Sequence, residues 1–170
     1  NQVNGQLSAF ALNLIKAMNP QIIKSEGGGN RSRMLYLAML ACKSSFLLLA
    51  FFAVPLILEM HFVLNLWLKA VPEFAVVFCQ LILIISLIKQ LTWGLMVAVQ
   101  SVGRIKIYQM VVGSLLIMNL PIAVLLMMVG LPSYSVLIAS IILEIVAGGT
   151  RIYFAQKLTG LKAKIFLHDT

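Results

Sequence analysis

The chain alternates long apolar stretches with short polar ones. Four apolar runs, at about residues 36 to 58, 74 to 100, 107 to 129 and 134 to 156, each exceed the roughly 20 residues that a helix rising about 1.5 Å per residue needs to cross the hydrocarbon layer of a membrane. The stretches between and before them, "EGGGNRSR", "EMHFVLNLWLKAVPE", "SVGRIK" and "GLPSY", hold the glycines, prolines and charges that punctuate helices. This pattern predicts an all-α fold, a polytopic transmembrane helix bundle. The opening "NQVNGQLSAFALNLIKAMNP" reads as the second part of a preceding helix that ends at Asn19-Pro20, and the glycines at 27 to 29 as a flexible turn. They are no phosphate loop, because no strand precedes them and no Gly-Lys-Ser/Thr follows. Residues 1 to 160 form one unit on this reading. The tail from 161 to 170 is either an interfacial stub or the start of a further helix.

Composition agrees with a membrane location. Hydrophobic residues make up 61% of the 170 and the mean hydropathy is +1.01, against about 45 to 50% apolar residues in ordinary soluble domains. The net charge of +8 raises the question of nucleic acid, whose partners carry basic patches. The placement of the charges argues against it. Lys16, Lys24, Arg31, Arg33 and Lys43 precede or begin the first run, Arg104 and Lys106 lie between the second and third, and Arg151, Lys157, Lys162 and Lys164 end the fourth. The two intervening connections hold Lys69 with Glu59 and Glu73 in one and no charge in the other. By the positive-inside rule the basic segments are cytoplasmic, with "EMHFVLNLWLKAVPE" and "GLPSY" facing outward. Cys42 and Cys79 fall near opposite faces of such a bilayer and cannot pair, since a disulfide needs Cα atoms within about 7 Å. Asn1 opens the chain without a basic and then apolar leader, and the chain is read as beginning inside a larger protein.

Polar side chains at membrane depth carry the candidate chemistry, because hydrocarbon cannot satisfy them and they normally face a bundle interior or a watery cavity. Lys89 is the only charge between Glu73 and Arg104, and it shares a helical face with Ser86, Thr92 and Gln100. About fourteen residues, or roughly 20 Å, separate it from the outer end of its span. Leaving it in lipid costs at least about 2.5 to 3.5 kcal/mol. It is read either as a cavity cation that attracts an anionic substrate or as half of a structural ion pair. Glu144, the only acid inside an apolar run, lies on a face with Ser140, Gly148 and Arg151. Pairing with Lys89, helix packing, and binding of a coupling proton or cation are all open to it. In "MNLP", Pro121 removes a backbone hydrogen bond and Asn119 is placed to cap the freed group, giving a hinge or a static bend. Pro55 raises the same choice in the first span. Trp67, Tyr134, Tyr36, Tyr108 and Tyr153 sit near run ends and read as interfacial belts. His61 and His168 are isolated, and no Ser/His/Asp set or paired carboxylates suggest catalysis, a metal or another cofactor. An enzyme is not expected.

Three stretches, "NQVNGQLSAFALNLIKAMNPQIIKSEGGGNR", "LNLWLKAVPEFAVVFCQL" and "VGRIKIYQMVVGSLLIMNLPIA", resemble the C-terminal half of bacterial polysaccharide biosynthesis and export proteins. These are lipid-linked oligosaccharide flippases, including O-antigen and capsule translocases, related to the MATE multidrug exporters. The likeness extends to about Gly160. It implies one part of a MATE-like two-lobed bundle, with four full spans plus the end of a preceding helix, completed by an N-terminal lobe absent from this chain. It further implies flipping of an undecaprenyl-pyrophosphate-linked oligosaccharide across the inner membrane, with coupling to H+ or Na+. The partners it implies are membrane lipid, the lipid-linked oligosaccharide and the missing lobe, with no nucleic acid. Lys89 matches in kind the cationic cavity residues of such flippases, with Ser86, Thr92, Gln100 and Asn119 as further cavity candidates and Glu144 as an ion-coupling or salt-bridge residue. Two other readings stand beside it: a cation-coupled multidrug exporter of the same fold, and a non-transporting membrane scaffold. A membrane glycosyltransferase is weaker, because the chain has no acidic catalytic loop.

Overall fold

The computed structural model describes residues 2–68, 71–103 and 105–161, the side chains at 2–8, 10–12, 14, 15 and 67 excepted. Lys69, Arg104, Lys162, Lys164 and His168, and the side chain of Trp67, therefore lie outside the described residues. Within them the chain is helical, with α1 Gln2–Gly27, α2 Arg31–Leu58, α3 Met60–Trp67, α4 Ala75–Ser101, α5 Lys106–Ile117, α6 Asn119–Met128 and α7 Ser135–Thr159. Four segments are long and apolar enough to cross a membrane: α2, α4, α5 continued by α6, and α7. A membrane imposes this form, because a helix satisfies its backbone hydrogen bonds internally where no water is present to do so.

The ends of the helices follow local chemistry. Asn30 caps α2 through its side-chain oxygen, which accepts from the Arg33 backbone N–H at 3.0 Å, and Gly29 at φ +73° makes the turn before it. Glycine tolerates this left-handed conformation because it has no Cβ. The expected helix end at Asn19-Pro20 is corrected: α1 runs through Pro20 to Gly27. Proline removes one donor and bends the helix but need not end it when the helix packs against neighbours, and α1 packs on both α2 and α4. The connection between the first two spans contains the short helix α3. In the third span the helix breaks at Met118, between α5 and α6, where Pro121 leaves the Ile117 carbonyl without its usual donor. By contrast, α2 continues through Pro55 to Leu58.

At the centre of the arrangement, α4 packs against α1, α2 and α7, while α5 and α6 pack against α7. Small residues permit the closest approach. Ala38, Ala41, Cys42, Ser45 and Ala53 of α2 are fully buried, and a Cβ on Gly94 of α4 would collide with the Ala38 carbonyl oxygen and come within 2.9 Å of Cys42 Sγ. Dense contact of this kind replaces the hydrophobic drive that is missing between helices in lipid. Leu83 of α4 meets Leu49 and Ala53, whereas Gly94 meets Ala38, so α4 runs antiparallel to α2. Lys24, Arg31, Arg33, Lys106 and Lys157 consequently gather at one end of the bundle. Outward faces stay apolar: Phe51, Leu58, Leu120 and Met128 are each at least 70% exposed.

Candidate functional site

The site forms where α4 and α7 cross the middle of the bundle. Lys89 is the fifteenth residue of α4 and Glu144 the tenth of α7, so both lie well inside their helices. Thr92 of α4 faces Gly148 of α7, where a Cβ would stand 3.6 Å from Thr92 Cγ2, an ordinary contact. One turn further along α7, Arg151 reaches back to this contact.

Glu144 is the hub. Its Oε1 accepts a hydrogen bond from Arg151 Nη1 at 2.8 Å, and its Oε2 lies 3.9 Å from Lys89 Nζ. The first distance is that of a charge-assisted hydrogen bond; the second is an ion pair beyond hydrogen-bonding reach. Arg151 Nη1 also donates to Thr92 Oγ1 at 3.0 Å, so its two hydrogens are divided between carboxylate and hydroxyl. Burial separates the three charged groups. The side chains of Glu144 and Arg151 are only 3% and 7% exposed, that of Lys89 is 44% exposed. One carboxylate thus faces two cations and is bonded to the buried one. The cluster keeps a single positive charge in excess, carried at its open edge by Lys89.

Of the residues singled out from the sequence, the structure brings together Lys89, Thr92 and Glu144. Thr92 is buried and its hydroxyl is occupied by Arg151. Ser86 lies one turn from Lys89 and donates to its own helix at the Ile82 carbonyl. Gln100 is eleven residues from Lys89, about 16 Å along α4, and stands apart from the cluster. Asn119 joins a different contact: its Oδ1 accepts from the Ser140 hydroxyl at 3.1 Å, which fastens the start of α6 to α7 just after the break at Met118.

Two features of the site escape the sequence reading. Arg151, which follows Glu144 by seven residues and shares its face, counts there among the charges that end the fourth run, and its bond to Glu144 is not among the pairings considered. Tyr108 reads as an interfacial tyrosine but is only 1% exposed, a correction to the expected belt, which keeps the exposed Tyr36 and Tyr153. Its ring packs edge-on against Phe154 of α7, with centroids 5.7 Å apart, and its hydroxyl lies within the electrostatic reach of Arg151 and Glu144. The Tyr108 hydroxyl and Arg151 Nε are both buried and neither makes a hydrogen bond of ordinary geometry, although the hydroxyl lies close to the Arg151 side chain. Tyr108 therefore closes the cluster on the α5 side, while Lys89 is its exposed member. No protein-family model, curated protein or solved structure matches this chain.

Proposed function

We propose that this chain is part of a membrane transporter that flips an undecaprenyl-pyrophosphate-linked oligosaccharide across the bacterial inner membrane for cell-surface polysaccharide synthesis. Lys89 is the cation that receives the pyrophosphate. One observation carries this reading: at membrane depth the site holds a half-exposed ammonium whose nearest carboxylate is already hydrogen-bonded to Arg151. A charge left uncompensated there is costly in lipid, and an anionic ligand or a watery path to one offsets that cost. The basic helix ends are assigned to the cytoplasm by the positive-inside rule. A complementary lobe, outside this chain, supplies the opposite wall of the cavity, and alternating access proceeds by rocking of the two lobes around a midplane site. Coupling is to H+ or Na+. The hydrogen bond from Arg151 favours an anchoring role for Glu144 over a coupling role.

That same buried pair supports a second reading, a scaffold whose charges only fasten α4 to α7. Replacement of Lys89 by alanine in the full-length protein separates the two. Loss of surface glycan at normal protein level supports the flippase; unchanged surface glycan removes Lys89 from the mechanism and favours the scaffold. The multidrug exporter, for which an interior acid is favoured over an interior lysine, also predicts unchanged glycan, and is told from the scaffold by drug efflux that Glu144→Gln abolishes.

A further inference from the structure

The Arg151–Glu144 bond and the Lys89–Glu144 contact differ in more than length. Arg151 and Glu144 belong to the same helix, two turns apart, so their bond persists whatever α4 does. Lys89 belongs to α4, and its contact with Glu144 lasts only while α4 and α7 keep their present register. Coulomb attraction favours the closer pair by about 1.4-fold at equal dielectric, and more where burial lowers the dielectric around Arg151 and Glu144. Thr92 adds a hydrogen bond that holds the guanidinium against the carboxylate.

We propose that Arg151 is a positioning residue that keeps Lys89 available: by bonding Glu144 Oε1 and offsetting its charge, it weakens the hold of the other oxygen, Oε2, on the Lys89 ammonium. Without Arg151 the site contains one lysine and one carboxylate, 3.9 Å apart, and no net charge. A change in the Lys89 side-chain rotamer then closes the remaining distance, and the cation is lost to any ligand. The role rests on the reading of Lys89 as the ligand-binding cation. Its immediate consequence, the exposure of the Lys89 amine, can be measured without any substrate.

The test is acetylation of lysines by acetic anhydride, a small reagent that enters bilayers, on the full chain in lipid nanodiscs, read residue by residue by mass spectrometry. Lys24, exposed at the end of α1, is the internal reference. In Arg151→Gln, Lys89 labelling relative to Lys24 falls about fivefold, the factor given by a pairing of modest strength. In Arg151→Lys, which keeps the charge, and in the double replacement Arg151→Gln with Glu144→Gln, which removes the competition, it stays within about twofold of wild type. Equal labelling in wild type and Arg151→Gln overturns the proposal. Should Arg151→Gln fail to accumulate, the double replacement decides alone. Labelling near wild type supports the proposal, and a rise of about fivefold or more shows that Glu144 already held Lys89 and overturns it. Because no glycan is involved, a failed labelling test and a failed flippase assay are distinct results.

Discussion

Arg151 Nη1 donates to Glu144 Oε1 at 2.8 Å across two turns of a single helix, with both side chains almost fully buried. This bond changes the meaning of both charged positions that stand out in the apolar runs. Glu144 has a partner on its own helix, and Lys89 is left as a second, more exposed cation beside a carboxylate already in use.

Breaking that pair from one side is expected to be far worse than removing it altogether. Glu144→Gln leaves the Arg151 guanidinium buried against a neutral amide, a situation that costs about 3 to 5 kcal/mol when one partner of a buried pair is deleted. The double replacement Glu144→Gln with Arg151→Gln is expected to lie much closer to wild type. Thermal unfolding of the four proteins in detergent measures the coupling as a double-mutant cycle, and additive effects would show that the two groups do not interact.

The two glycines of the helix contacts are expected to behave oppositely. Gly94→Ala forces a methyl group against the Ala38 carbonyl and Cys42 Sγ, and overpacking of this kind costs about 1 to 3 kcal/mol. Gly148→Ala meets only Thr92 at ordinary contact distance and gains about 0.8 to 1 kcal/mol of helix propensity. Unfolding temperatures that fall for the first and hold or rise for the second check the packing of α4 between α2 and α7.

Where α5 gives way to α6, the Asn119–Ser140 hydrogen bond is expected to be worth about 0.5 to 1.5 kcal/mol. Asn119→Ala and Ser140→Ala should then each lower stability by a similar amount, and the double replacement by little more than either. Full additivity would mean that the two side chains act independently.

At the turn between α1 and α2, the Arg31 guanidinium donates to both carboxylate oxygens of Glu26, and this hydrogen bonding, more than the accompanying Coulomb attraction, holds the Glu26 carboxyl below its ordinary value. A depressed folded-state value means that the pair contributes stability above the unfolded-state value of about 4.3, and that the contribution is lost as pH falls through the folded-state value. Carbon-detected NMR titration of Glu26 should show the depression in wild type and its relaxation toward the ordinary carboxylate range in Arg31→Gln. Added salt should weaken it, as for any solvent-exposed pair.

Much of this architecture is legible in the sequence, because apolar run length fixes where a helix crosses and the basic clusters fix which ends lie together. The four spans differ from the expected bounds by a few residues. What the sequence does not reveal depends on tertiary contact. Pro20 signals a helix end locally, but the packing of α1 on α2 and α4 carries the helix past it. Tyr108 has the position of an interfacial residue, and only the approach of α7 buries it against Phe154. Lys89 and Glu144 announce themselves as isolated charges. Arg151 is visible on the Glu144 face, seven residues on, but its place near a helix end makes it look like a topological signal, and its bond to Glu144 appears only in the folded helix pair.

Translocation by purified full-length protein in proteoliposomes tests the central claim most directly, with a fluorescent undecaprenyl-pyrophosphate-linked oligosaccharide as the reporter and its arrival in the opposite leaflet as the readout. Wild type and Lys89→Arg should move the lipid, and Lys89→Gln, incorporated at equal density, should move it at least about tenfold more slowly, the factor for about 1.4 kcal/mol of lost interaction. Equal rates for wild type and Lys89→Gln would contradict the account, since the pyrophosphate would then cross without the exposed cation of the site.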